Sequence, residues 1–321
     1  MAKIVECVPN FSEGRDKEKI ARIVSVFDKY QGIRMINCEP DGDYNRTVVT
    51  LIGDPETMQK AVLEMVGVAK EEIDLNHQTG QHPRMGAVDV IPFIPIEGVT
   101  INDCVDFAKT LGKNIASVYN IPVFLYAEAA SKEDRMSLPN IRKGEFEGMD
   151  EKLKDQNWHP DFGPAAKHPT FGVVAVGARQ FLIAYNIDLE TTDMDVPEKI
   201  ARAIRKSSGG FQYIQAGPAF LEKYNHVQVT MNILDYKKNP IYRIFEVVKM
   251  EAKRYHIEVK SAELVGLMPK DALIRSLAYY LDMDDDIRDP KQLSLAELTE
   301  LARKYLMFRD FDINKIIESY L

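Results

Sequence analysis

Two hydrophobic periods alternate along the chain, and they follow the same order twice. Lys3 to Val8 reads as a strand by alternation, and Asn10-Phe11-Ser12-Glu13-Gly14 then breaks it. From Asp16 to Tyr30, Ile20, Ile23, Val24 and Phe27 recur at helical spacing, and Gly32 closes the element. Strands are predicted at Ile33 to Glu39 and at Arg46 to Gly53, joined by the turn-rich Pro40-Asp41-Gly42-Asp43. Asp54-Pro55 opens a helix for a physical reason. The carboxylate accepts from free backbone N–H groups, and proline at the first helical position loses nothing. Met58, Ala61, Val62, Met65, Ala69 and Ile73 mark one face of that helix, and Val88 to Phe93 is the next strand. The order is β-α-β-β-α-β.

The second half repeats it. Phe181 to Ile187 reads as a strand, and Pro197 to Lys206 as a helix. Strands follow at Gly210 to Ala216 and His226 to Leu234. Asn239-Pro240 then opens a helix with Ile241, Ile244, Phe245, Val248 and Ala252 inward, and His256 to Leu264 closes the set. Two split units of this kind predict an α+β protein of two ferredoxin-like (βαββαβ) subdomains. A third helix, Asn102 to Tyr119, and a strand, Val123 to Tyr126, extend the first half, while Pro290 to Leu321 reads as a helical tail. No low-complexity linker separates the halves. The Gly- and Pro-rich Pro160 to Gly177 runs between strand-like segments, so the division is placed at Arg179, giving subdomains 1–178 and 179–321. Two sheets meeting there are expected to form a ligand cleft.

Composition narrows the function classes. The 321 residues are 45% hydrophobic and 28% charged, ordinary values for a folded globular protein. The longest apolar runs fall far short of a membrane span, and the N-terminus lacks the apolar core of a secretory signal. Three cysteines, Cys7, Cys38 and Cys104, are too few for a disulfide framework or a zinc site, and a reducing cytoplasm is the expected compartment. The net charge of −8 argues against nucleic-acid and anionic-membrane partners. It leaves room for a small anionic ligand in a locally basic cleft.

Phosphate-loop, dinucleotide, zinc-helix and serine-elbow motifs are all absent. His77 and His82 do not make a convincing metal-ligand spacing, so no metal is expected. The distinctive loop is His77-Gln78-Thr79-Gly80-Gln81-His82-Pro83-Arg84-Met85-Gly86-Ala87-Val88-Asp89. Imidazole exchanges protons near neutrality, and Pro83 restrains the backbone of His82. A surface loop with an incidental histidine is the plain alternative. The second candidate, Asp161 to Gly172, can offer backbone groups to a flat polar ring; unaided, it reads as a domain crossover. In Asn45-Arg46-Thr47, Arg46 suits a carboxylate, which a guanidinium binds through two parallel hydrogen bonds. A surface ion pair is the alternative there.

Together, Val5 to Gly14, Asn45-Arg46-Thr47-Val48, His82 to Val90 and Asp161-Phe162-Gly163-Pro164 resemble the glutamate formimidoyltransferases. These are also the N-terminal half of the formimidoyltransferase-cyclodeaminases. Phe181 to Asn186, Leu264 to Pro269 and Ile316-Ile317-Glu318 extend the resemblance over the whole chain, which looks like a standalone transferase. The resemblance implies transfer of a formimidoyl group from N-formimidoyl-L-glutamate to N5 of tetrahydrofolate in histidine breakdown. It also implies folate as co-substrate between two ferredoxin-like subdomains, and a homodimer.

His82 matches the family's catalytic histidine. The folate-binding segment corresponds to Gly163, Pro164, Ala165, Ala166, Lys167, His168, Pro169, Thr170, Phe171 and Gly172. Ala165, Ala166, Lys167 and His168 stand where animal forms carry Ser and apolar residues, which preserves backbone contacts but not hydroxyl contacts. Arg46 and Arg84 are the candidates for the donor carboxylates, Lys167 a weaker one for the folate tail, and Glu39 or Asp89 for orienting His82. Two other readings remain: a formyl transferase on the same fold, and a non-catalytic folate or amino-acid binding module.

Overall fold

Each half builds its own sheet in the computed structural model, which describes residues 3–222, 224–284 and 286–320. The chain divides into two compact units, Met1–Arg179 and Gln180–Leu321. The first contains β1 (Ile4–Cys7), β2 (Asn10–Phe11), α1 (Lys17–Val24), β3 (Ile33–Asp41), β4 (Arg46–Gly53), α2 (Pro55–Glu72) and β5 (Val88–Glu97). It continues through α3 (Ile101–Tyr119), β6 (Val123–Ala127), α4 (Leu138–Arg142), α5 (Glu145–Lys152) and β7 (Val174–Ala178). β1 and β2 lie in line between β4 and β5, pairing antiparallel with both. β3 flanks β4, while β7 and β6 extend the sheet beyond β5 in parallel.

Strand alternation divides this sheet into two faces. Val5, Cys7, Phe11, Val49, Leu51, Val88, Ile91 and Phe93 share one core with Ile20 and Ile23 of α1 and the apolar stripes of α2 and α3. Met58, Ala61, Val62, Met65 and Ala69 of α2 are fully buried there, each larger side chain contributing about 1.5–3 kcal/mol. Val90, Phe124, Tyr126 and Ala175 form a second core with Ile141 of α4 and Met149 of α5. Thus α4 and α5 sit over the face that α1, α2 and α3 leave uncovered.

The second unit contains β8 (Ile183–Leu189), α6 (Asp195–Ile204), β9 (Ile214–Leu221), β10 (His226–Ile233), α7 (Ile241–Lys253), β11 (Val259–Val265), α8 (Lys270–Met283) and α9 (Leu295–Leu306). Its antiparallel sheet runs β11-β8-β10-β9.

Some elements depart from the sequence pattern. Asn10-Phe11 is a strand, because Pro9 interrupts the line of β1 without ending it and Val49 N–H donates to the Pro9 carbonyl at 3.0 Å. Gly210 turns the chain instead of starting a strand: a Cβ there would lie 2.4 Å from the Ile204 carbonyl carbon. β9 therefore begins at Ile214. β7 directly follows the Asp161 to Gly172 stretch that unaided reads as a crossover, and it is buried along its whole length; parallel strands covered on both faces lack alternation. The tail is helical only over α9, with short 3₁₀ turns before and after it. Among the described residues, no helix is long and apolar enough to cross a membrane.

Candidate active site

The loop that carries His82 follows α2 and is fastened to the β3–β4 turn before it reaches β5. Asn45 is the fastener, in a left-handed conformation (φ 51°) that asparagine tolerates better than most residues. Its Oδ1 accepts from Gly14 N–H at 2.9 Å, and its Nδ2 donates to the Thr79 carbonyl at 2.8 Å. Gln78 Nε2 returns a bond to the Asn45 carbonyl at 2.8 Å. Gly80 is required by close approach, since a Cβ would lie 2.4 Å from the Tyr44 carbonyl oxygen. The backbone N–H of His82 donates to that same carbonyl at 3.4 Å.

The segment after β2 closes the loop from the other end. Ser12 N–H donates to the Ala87 carbonyl and Ser12 Oγ to the Gly86 carbonyl, each at 2.8 Å. Thr47 Oγ1 donates to the Glu13 carbonyl at 2.5 Å. Three separate sequence motifs thereby become one scaffold for a single loop.

His82 is 8% exposed. Its ring meets the Tyr44 ring edge-on, with centroids 6.5 Å apart. Burial, then the positive charges of Arg142 and Arg46, push the imidazole down from its usual value to about 4. At neutral pH the ring is therefore uncharged and able to accept a proton. Arg46 Nε is buried without a hydrogen-bond partner, and its guanidinium carbon lies 5.6 Å from the centre of the Tyr44 ring. A buried donor without an acceptor is costly, which fits a group that awaits an anion.

The remaining candidates are engaged elsewhere. Arg84 donates to Glu147 Oε1 at 2.7 Å, to Glu145 Oε2 at 3.3 Å and to the Gln78 carbonyl at 3.1 Å. Glu39 is exposed and accepts from Asn37 Nδ2 at 2.5 Å. Asp89, 1% exposed, accepts from Met85 N–H at 2.8 Å and from Arg142 Nε at 2.8 Å. Neither carboxylate is hydrogen-bonded to the His82 ring among the described residues. Lys167 Nζ donates to the Phe146 carbonyl and pairs with Asp150, both at 3.0 Å.

Residues 163–172 form a loop clamped at both ends. At its start, Asp161 Oδ2 accepts from Leu125 N–H at 2.8 Å and from Arg135 Nη1 at 2.7 Å. Gly163 has φ +87°, and a Cβ there would lie 2.8 Å from the Ile121 carbonyl oxygen. At its end, His168 and Gly172 exchange backbone hydrogen bonds at 3.0 Å, and His168 Nδ1 accepts from Phe171 N–H at 3.1 Å. Ala87 N–H donates to the Phe171 carbonyl at 2.8 Å, and Val173 N–H to the Met85 carbonyl at 3.0 Å. These bonds join the loop to the strand entry only three residues after His82. Gly163, Ala165, Ala166 and Pro169 stay at least partly exposed between the clamps.

A cavity of about 580 Å³ is lined by Asn45, His77, Gln78 and Thr170 but not by His82. Glu13, Asp16, Glu71, Glu72 and Asp74 outnumber Arg15, Lys19 and Lys70 around it, a charge balance unsuited to a dicarboxylate. Among the described residues, no three His, Cys, Asp or Glu side chains are grouped to hold a metal ion.

The family model for the N-terminal subdomain of the formiminotransferase domain matches residues 4–179, and that for the formiminotransferase domain matches residues 184–320. The chain belongs to the formiminotransferase family. Glutamate formimidoyltransferase of Streptococcus pyogenes serotype M1 is 44% identical over 89% of this chain and 95% of its own length. Its counterpart in Thermoplasma acidophilum is 42% identical over 88% of this chain and 93% of its own. Formimidoyltransferase-cyclodeaminase of Mus musculus is 40% identical over 88% of this chain, a match that covers 53% of the longer protein. Within this formiminotransferase, the sequence pattern did not indicate Arg142, Arg135 or the fastening role of Asn45. The Asn45-Arg46-Thr47 motif did point to Asn45's position.

Proposed function

We propose that this formiminotransferase uses His82 to move protons while a formimidoyl group passes from N-formimidoyl-L-glutamate to N5 of tetrahydrofolate. The chain is an enzyme, a one-carbon transferase; its products are 5-formimidoyltetrahydrofolate and L-glutamate. The observation that carries the role of His82 is a buried imidazole set edge-on against the Tyr44 ring, on a loop whose strand entry is hydrogen-bonded to the 163–172 segment.

The residues suit this group transfer. Tetrahydrofolate supplies the accepting amine, and the exposed backbone of residues 163–169 suits the edge of its polar ring. His168 supports that backbone from within, its Nδ1 accepting from Phe171 N–H, and Lys167 ties it outward to the Phe146 carbonyl and Asp150, so the segment keeps its shape without the family hydroxyls. Arg46 takes a donor carboxylate through its vacant donors. His82 accepts a proton at the attacking nitrogen and returns it at the departing glutamate nitrogen, general base and then general acid. Holding both reactants on one scaffold removes much of the entropic barrier.

We further assign each unit a ferredoxin-like fold. The order β3-β4-β1-β5 in the first and β9-β10-β8-β11 in the second supports it. The division into subdomains near Arg179, a cytoplasmic location and a homodimeric assembly complete the reading.

Arg46→Gln tests the carboxylate assignment. Steady-state kinetics are expected to show donor KM raised roughly 10- to 100-fold, the scale of one charge-assisted hydrogen-bond pair, with tetrahydrofolate KM unchanged. Equal rises in both constants would count against it. The reaction itself is tested by supplying formimidoylglutamate or formylglutamate with tetrahydrofolate and following product by absorbance. The formimidoyl donor is expected to be the faster by a wide margin.

A further inference from the structure

We propose that the first turn of α5 is a crossbar that carries occupancy of the 163–172 loop to the His82 loop, with Lys167 and Arg84 as positioning residues. The inference rests on the reading of the two loops given above. It gives Lys167 and Arg84 roles other than holding substrate carboxylates.

Phe146 is where the two loops meet. Its N–H donates at 2.9 Å to the carbonyl of Arg84, two residues beyond His82. Its own carbonyl accepts at 3.0 Å from Nζ of Lys167, at the middle of the other loop. The same ammonium lies 4.0 Å from the centre of the Phe146 ring and pairs with Asp150, one turn further along α5. The ring is buried, and a Cβ on Gly172 would lie 3.0 Å from its Cδ2. Phe146 therefore meets the 163–172 loop at its middle and at its end.

Arg84 grips the turn from the side of His82. Nη2 donates to Glu147 Oε1 at 2.7 Å and to the Gln78 carbonyl at 3.1 Å, and Nη1 donates to Glu145 Oε2 at 3.3 Å. The guanidinium thus ties α5 to the segment that Asn45 fastens. Glu145 takes a left-handed conformation, φ 55°, which persists where the surrounding structure imposes it. Arg84 imposes it from two directions, through the Glu145 carboxylate and through the Phe146 N–H. The shape of the turn depends on where Arg84 sits, and the Phe146 carbonyl is held by Lys167.

The backbone bonds from Ala87 and Val173 fix the end of the 163–172 loop. Lys167 belongs to its middle, beside the exposed residues offered to tetrahydrofolate. A ligand seated there steadies Lys167, and through Phe146 it steadies the Arg84 carbonyl. The second substrate then binds to a turn that is already ordered and meets less of the ordering cost. Each substrate is bound more tightly when the other is present, by the same factor in both directions.

The test is the coupling between tetrahydrofolate and L-glutamate, a pair that binds without reacting, measured by calorimetric titration of the whole protein. In the wild type, saturating glutamate is expected to lower the tetrahydrofolate Kd about fivefold or more, the lower end of the usual range of such couplings. In Lys167→Met, which keeps an apolar stem over the Phe146 ring, the coupling is expected to fall below about twofold. Its kcat is expected to fall about 10- to 100-fold, the scale that a displacement of about 1 Å can cost. Lys167→Arg is expected to restore most of both. Glu147→Ala, at an exposed position, loosens the grip of Arg84 without opening the core and is expected to lower the coupling as well.

A wild type without coupling overturns the proposal whatever the variants do. So does coupling that Lys167→Met and Glu147→Ala both leave unchanged. A raised tetrahydrofolate KM in Lys167→Met, with kcat and coupling intact, overturns it too and makes Lys167 a contact of the folate tail. The reading of the site fails separately, through a wild type that does not bind tetrahydrofolate or through normal turnover in His82→Ala.

Discussion

Arg135→Ala is expected to cost about 3–5 kcal/mol of stability, the usual result of removing one partner from a buried ion pair. Arg135 is 2% exposed and ties together a stretch of chain with little regular structure of its own. Nη1 bonds Asp161 at 2.7 Å, while Nη2 donates to the Asn157 carbonyl at 2.9 Å and the His159 carbonyl at 2.5 Å. Its guanidinium also lies 5.1 Å from the centre of the Phe124 ring. Truncation leaves the Asp161 carboxylate and two carbonyls without these donors around the space left by a buried guanidinium. Because Asp161 starts the 163–172 loop, tetrahydrofolate KM is expected to rise together with the loss of stability. Calorimetry and kinetics on one preparation check both, and a Tm within about 2 °C of wild type would contradict the account.

His82→Ala is expected to lower kcat by roughly 10²- to 10⁴-fold, the contribution of a positioned acid–base group. Folding is expected to persist, because the loop is held by its backbone and by Asn45, Gln78 and Ser12 rather than by the imidazole. The His82 N–H bond to the Tyr44 carbonyl is retained by alanine. The main packing loss is the edge contact with Tyr44. The sign of the residual stability effect comes from the ring's own titration. An imidazole pushed down to about 4 costs the folded state stability as pH falls from its unfolded value of about 6.5. Alanine removes that cost, so the variant is expected to resist acid at least as well as wild type between those limits.

The parts legible in the sequence are those governed by local rules. The face of α2 is readable because burial repeats with the helical period. Its start is readable because an aspartate before a proline caps the turn directly after it: Asp54 Oδ2 accepts from Thr57 N–H at 2.8 Å. His82 and Arg46 stand out through chemistry and through the motifs around them. Arg142 does not, since its partner Asp89 lies 53 positions away and reads from the sequence as a partner for His82 instead. Arg135 sits in Ser131-Lys132-Glu133-Asp134-Arg135, a run that looks fully solvated, yet the chain folds a polar pocket around its last member. β7 is hidden for the opposite reason: a strand buried on both faces carries no alternating pattern. α8 was missed as well, although Ala272, Leu273, Ser276, Leu277, Tyr280 and Leu281 line one face at helical spacing.

The central claim is that an uncharged His82 passes protons between two nitrogens during formimidoyl transfer. A single-turnover experiment tests it most directly, with enzyme in excess over formimidoylglutamate at saturating tetrahydrofolate, wild type beside His82→Ala at about pH 7, where the imidazole is neutral. The account predicts full conversion to 5-formimidoyltetrahydrofolate by both, with the variant slower by roughly 10²-fold or more and equal affinity for tetrahydrofolate. Equal single-turnover rates in the two proteins would contradict it.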